Sequence, residues 1–162
     1  MNQVKLLVIL VIFSLLVLSG VGYSEAVKKA PIYNPDANIV KEVEAAIKKA
    51  TAENKHILLM FGANWCPWCH KLHELFGSDL AIKKILAEKY ILVMVDIGET
   101  KDKPLNRDLE AKCGVKGMGY PSIAVLDKKG DLICAQSSGV LEKDKGHDPK
   151  RVLAFLQVES PN

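Results

Sequence analysis

This sequence predicts an α/β domain, a central mixed four-stranded sheet flanked by helices, and three observations carry the prediction. Two short apolar runs, His56–Ala63 and Tyr90–Asp96, have the length of buried strands and are separated by helical patterns, the arrangement of a parallel pair. Two later runs, Pro121–Leu126 and Asp131–Ser137, are joined by Asp127-Lys128-Lys129-Gly130, whose turn chemistry suits a hairpin. Apolar residues before, between and after these runs recur at helical spacing.

The 162 residues, 49% hydrophobic and 25% charged, suit one domain with an ordinary core. The net charge of +3 is modest and the lysines are interspersed with acids, so no basic stripe supports nucleic-acid binding. Lys5 precedes an apolar run from Leu6 to Leu18 that ends in the small and polar residues Ser19–Ala26. Residues 1–24 therefore read as a secretory signal peptide, cleaved after Ser24 or Ala26, and the protein as periplasmic or secreted. Extended to Gly22, the same run approaches the ~20 residues that span a bilayer, which makes an uncleaved membrane anchor the alternative. Residues 25–37 read as an N-terminal tether and 38–158 as the folded domain.

Along that domain, Asn34 can cap a first helix with Pro35 in its first turn, and Ile39, Val43, Ile47 and Ala50 form its apolar face up to about Glu53. The strand at His56–Ala63 follows. A helix from Pro67 should run to about Phe76, break at Gly77-Ser78-Asp79 and resume through Leu80, Ile82, Ile85 and Leu86. After the Tyr90–Asp96 strand, a helix from about Pro104 to Lys112 leads into the glycine-rich loop Gly114–Tyr120. The hairpin comes next, and a last helix begins near Asp148-Pro149 with Val152, Leu153, Phe155 and Leu156 on its inner face.

Trp65-Cys66-Pro67-Trp68-Cys69-His70 lies where the first strand gives way to a helix. Pro67 suits the first helical turn, which puts Cys66 at the helix N-terminus. Unpaired N–H groups and the positive end of the dipole stabilise a thiolate there, lowering a thiol pKa from about 8.5 into a range of roughly 3.5–7.5. Cys69, one turn on, can close a disulfide with Cys66 and release a partner from a mixed disulfide. His70 can pair electrostatically with the thiolate or with Glu74 one turn along.

With Trp65-Cys66-Pro67-Trp68-Cys69 after a strand, Tyr120-Pro121 opening a hairpin and a closing helix, the chain resembles the thioredoxin superfamily over residues 38–158. Lys71-Leu72-His73-Glu74-Leu75-Phe76 after the cysteines looks most like the exported, Dsb-type thioredoxin-like proteins of bacteria. The resemblance implies a cis bond before Pro121, which sets the Tyr120 backbone beside the cysteines to pair with an extended substrate segment. Trp65, Trp68, Met118, Tyr120 and Pro121 are then the substrate-binding residues, and Gly117 and Gly119 line the same groove. The chain departs from thioredoxins proper in three places. Met60 stands where they carry a buried acid, Leu92 is aligned with their neighbouring lysine, and Glu74 replaces the proline that bends the active-site helix. His70, His73 and Glu74 are the candidates for proton transfer in its place.

The resulting expectation is a thiol-disulfide oxidoreductase of the protein-disulfide reductase or isomerase type, with catalytic Cys66 and Cys69 and no cofactor. It would be a monomer acting on cysteine-containing exported proteins, with a membrane electron donor or oxidant to recharge it. The alternative is a periplasmic copper-binding protein or metallochaperone, because Cys66, Cys69, His70 and His73 fall on one helix face. The Cys66–His70 spacing also fits c-type haem attachment, but its place at a strand-to-helix turn argues against that role. Cys113 and Cys134 complete an even count of four and either bridge each other or remain two small buried thiols.

Overall fold

The computed structural model describes residues 29–100 and 103–161, so the stretch read as a signal peptide lies outside the described residues. The elements run α1 (Ile39–Glu53), β1 (His56–Gly62), α2 (Pro67–Ser78), α3 (Leu80–Lys89), β2 (Tyr90–Asp96), α4 (Arg107–Lys112), β3 (Ser122–Leu126), β4 (Leu132–Ser137), a 3-10 turn (Ser138–Leu141), the two-residue strands β5 (Glu142–Lys143) and β6 (Gly146–His147), and α5 (Pro149–Val158). The sheet is ordered β2-β1-β3-β4, with β1 parallel to β2 and antiparallel to β3, and β3 antiparallel to β4. This is the mixed four-stranded sheet expected from the sequence.

β1 is buried on both faces because it is flanked on both edges and covered on both sides, which is why its sequence is a continuous apolar run. Its alternate side chains feed two cores. Leu58 and Met60, with Ile123 and Val125 of β3, pack against Leu72 and Phe76 of α2, Ile82 of α3, and Val152 and Leu156 of α5. Ile57, Leu59 and Phe61 join Val93, Val95 and Ala124 on the opposite side, beneath Ile39, Ala46 and Ala50 of α1.

Helix boundaries follow the caps. α1 starts at Ile39 rather than near Asn34, because Asn38 is the cap, its Oδ1 accepting from Lys41 N at 3.1 Å. Asn34 instead accepts from Asp36 N at 3.1 Å in a local turn. Asp79 ends α2 and caps α3 at once, accepting from Ala81 N and Ile82 N at 2.9 and 3.0 Å. α4 starts at Arg107, three residues later than expected, because Asn106 is left-handed at φ 55° and Leu105 N is donated to Ile97 O at 3.0 Å. The 3-10 turn and the β5–β6 hairpin were not anticipated. They are the elements that carry His147 to the active-site helix.

Where the sequence suggests a tether, the structure docks residues against the domain. Asn64, in the turn between β1 and α2, accepts from Ile32 N and Tyr33 N at 2.8 and 2.9 Å and donates from Nδ2 to Tyr33 O at 2.9 Å. These three bonds hold Tyr33 in the core. Asn64→Ala is expected to lower the unfolding free energy by about 2 kcal/mol, through lost bonds and stranded backbone donors, without changing the denaturant slope. Chemical denaturation of the two proteins measures it.

Candidate active site

Cys66 is the N-cap of α2, in extended conformation at φ −86° and ψ 106°, with Pro67 in the first turn. It is joined to Cys69 by a disulfide. Cys66 Sγ accepts from Cys69 N at 3.1 Å, so the sulfur occupies the position of a capping side chain, facing the helix's unpaired N–H groups. Cys66 keeps 4% of its surface exposed and Cys69 none, so Cys66 is the less buried residue of the pair.

Of the residues expected to bind substrate, Trp65 precedes Cys66 in the chain, and Trp68 and Tyr120 pack against the core cluster that holds both cysteines. Trp65 is 53% exposed, its indole donating to Gly98 O at 2.9 Å and its ring standing edge-on to Tyr120 at 6.5 Å. Met118 is 36% exposed at the tip of the loop between Gly117 and Gly119, whose φ values of 85° and 80° favour glycine. The Tyr120–Pro121 bond is cis, as the resemblance implies, and Pro121 is buried at the start of β3. Trp68 is half-buried between Lys71, whose Nζ lies 4.2 Å from the ring centre, and His147, edge-on at 5.5 Å.

The proton-transfer candidates are dispersed along α2. His70 is buried and donates from Nε2 to Asn64 O at 2.9 Å, so one ring nitrogen is committed to the turn before the cysteines. His73 is half-buried and Glu74 exposed further along the helix. The strand register sets Met94 across from Met60 and Leu92 across from Leu58, so Leu92 is a diagonal neighbour of Met60 on the same face of β2 and is partly exposed. Parallel pairing starts at His56 and Tyr90, and this offset places Met94 across from Met60. The copper alternative is not supported. Cys66 and Cys69 are bonded to each other, His70 is engaged with Asn64, and no group of three or more His, Cys, Asp or Glu among the described residues is arranged to hold a metal ion.

Five further groups support the site. Glu110 is fully buried in α4 and accepts from the Tyr120 hydroxyl at 2.6 Å and from Arg107 Nη1 at 2.7 Å, while Arg107 also donates to the Tyr120 oxygen at 3.1 Å. This triad pins the residue before Pro121, and burial together with Glu110 raises the Tyr120 pKa. Beneath Cys69 stand Tyr33 and, at the end of β2, Asp96, which pairs with Gly62. His147 is buried against Trp68, and burial, then Lys71, lowers its pKa to about 4, so its ring is neutral at pH 7. In the sequence, Glu110 passes for a first-turn acid serving the helix dipole, and Tyr33 and His147 sit in polar stretches without periodicity. No local signal marks them.

Cys113 and Cys134 are free. They pack into the cores on opposite faces of the sheet, so the bridge considered from the sequence is closed to them. Burial raises both thiol pKa values to about 11. A raised thiol pKa leaves little thiolate at pH 8, so oxidised protein should give two alkylatable thiols once denatured and very slow reaction when native. Mass spectrometry after alkylation counts them.

A family model described as a thioredoxin-like domain matches residues 43–145. Spermatogenesis-associated protein 20 of Mus musculus is 41% identical over 59 residues, 36% of this chain and 8% of that protein. The disulfide bond reductase DsbH of Chlamydia pneumoniae is 26% identical over 89 residues, 52% of this chain and 54% of that one. The chain thus spans only a small part of the first relative and about half of the second. Among solved structures, a disulphide isomerase from Xylella fastidiosa Temecula1 superposes with a TM-score of 0.69 at 22% identity, over 80% of this chain and 96% of that one.

The triad around the buried Glu110 carboxylate predicts a measurable loss. Tyr120→Phe removes one of the two donors to the Glu110 carboxylate and should cost about 1.5–3 kcal/mol of unfolding free energy, the range for a hydrogen bond to a charged group. Thermal and denaturant unfolding measure it.

Proposed function

We propose that this chain, which belongs to the thioredoxin-like domain family, is a thiol-disulfide oxidoreductase that reduces or exchanges disulfides of other exported proteins through Cys66 and Cys69. The single observation that carries this reading is the disulfide itself, set at the N-terminus of α2 with Cys66 as the cap. In the reduced pair, the Cys69 N–H and the helix dipole stabilise a Cys66 thiolate. That thiolate attacks a substrate disulfide and forms a mixed disulfide. Cys69 then attacks the Cys66 sulfur, closes the pair and expels the second substrate thiolate, so two electrons pass to the substrate.

The surroundings support a polypeptide substrate. Trp65 and Met118 are exposed apolar side chains, Trp68 and Tyr120 pack against the core cluster that holds both cysteines, and the bond before Pro121 is cis. The chlamydial relative is named a reductase and the Xylella structure an isomerase, both within this reaction class. Export rests on the sequence of residues 1–24, and it would make a membrane protein the source or sink of electrons.

Cysteine substitutions separate the roles. Cys66→Ser should abolish reduction of insulin disulfides, whereas Cys69→Ser should accumulate mixed disulfides that migrate as larger species on non-reducing gels. Comparable trapping through Cys69 in the Cys66→Ser protein would reverse the assignment.

A further inference from the structure

A buried tyrosine oxygen lies under the disulfide with nothing to bind. Tyr33 is 3% exposed, and its hydroxyl has no hydrogen-bond partner among the described residues. Buried tyrosine hydroxyls nearly always find a partner, and an orphan is destabilising relative to phenylalanine. Two features show that the oxygen is held in place rather than merely accommodated. Asn64 grips the Tyr33 backbone through three hydrogen bonds from the turn that leads into Cys66. Gly62 leaves the room: a Cβ at that position would lie within 2.5 Å of both Cys69 Sγ and the Tyr33 oxygen. The two heteroatoms are therefore no farther apart than twice that distance, in a space that any other residue at 62 would fill.

We infer that the Tyr33 hydroxyl is the hydrogen-bond donor that receives the Cys69 sulfur whenever the Cys66–Cys69 disulfide opens, and is in that sense a further catalytic residue of the site. The inference rests on the oxidoreductase reading. A sulfur within a disulfide is a poor acceptor, whereas a thiolate is a strong one, so the orphan acquires its partner only in the reduced or mixed-disulfide state. When a substrate thiolate attacks Cys66 Sγ, the S–S bond breaks and its electron pair departs on Cys69 Sγ. The Tyr33 O–H donates to that sulfur and keeps its proton. In the reverse direction the same pair attacks Cys66 Sγ in the mixed disulfide, the intramolecular S–S bond forms, and the substrate leaves as a thiolate. Burial, and after it the charge of Asp96, disfavours the phenolate and so preserves Tyr33 as a donor. Asp96 itself is engaged, accepting from Gly98 N at 2.6 Å.

Tyr33→Phe in the full chain tests the inference with glutathione and dithiothreitol as probes. Loss of the donor should shift the glutathione equilibrium about tenfold toward the disulfide, some 30 mV toward a more negative potential, and slow opening by dithiothreitol by a similar factor. The melting temperature of the oxidised protein should be unchanged or higher. A higher melting temperature with an unchanged equilibrium and opening rate would show the hydroxyl to be a packing group only and would overturn the inference. Nuclear magnetic resonance of the unmutated protein reads the same contact without a variant. The Tyr33 ring and hydroxyl resonances should move on reduction, and unmoved resonances would refute it. If insulin and other protein disulfides are left untouched by the wild type while Tyr33→Phe still shifts the glutathione equilibrium, the oxidoreductase reading fails and the hydrogen bond stands.

Discussion

The end of β1 is the constraint on which the rest of this structure depends. β1 is paired on both edges along its length, so its direction and register are set by two neighbours. At Gly62 the chain leaves the sheet, with Gly62 O still accepting from Ile97 N at 2.9 Å, and within four residues it reaches Cys66. Gly62 admits Tyr33 from below, Asn64 fastens the N-terminal segment and receives the His70 ring on its carbonyl, and Trp65 leans on Gly98 and Tyr120. Each residue of this turn faces a different part of the chain. The cysteine pair is thereby oriented by contacts distant in sequence, and α2 inherits its direction from them.

Two buried polar arrangements flank this turn, and their energetics differ. Around Glu110 the carboxylate is matched by Arg107 and the Tyr120 hydroxyl, so its desolvation is offset by charge-assisted bonds and its effect is to immobilise the loop before Pro121. Around Tyr33 no such match exists in the disulfide state. The first arrangement is complete in the state observed and serves stability. The second is incomplete there, which is the property expected of a group whose partner is created by the reaction.

Most of the fold was legible because its signals are local. The continuous apolar run of β1, the Asp127–Gly130 turn, Asp79 between two helical patterns and Asp148-Pro149 each act within a few residues, and the observed elements lie within a few positions of those expected. Boundaries moved where a competing local bond won, as when Asn34 closed a turn on Asp36 and left the capping of α1 to Asn38. Cys66, Cys69, Trp65, Trp68 and the Tyr120-Pro121 loop were legible because a motif and its spacing carried them. Tyr33, Glu110, Asp96 and His147 were not, since each owes its place to a contact more than one element away.

These distant contacts also bear on how the chain tolerates a methionine where thioredoxins carry an acid. A buried carboxylate at position 60 would lie in the apolar core with Leu58, Leu72 and Ile123, and without a cation its ionised form would be strongly disfavoured. Met60 removes that difficulty, and Met94 across from it keeps the region apolar. Polarity is displaced to the edge of the core, where Asp96 has the Gly98 N–H and Tyr33 is held by Asn64. The sulfur of Cys69 thus meets an apolar wall on its sheet side and a neutral donor near Gly62. The one buried acid nearby, Asp96, is held by the Gly98 N–H and leaves the direct contact with the sulfur to the neutral hydroxyl.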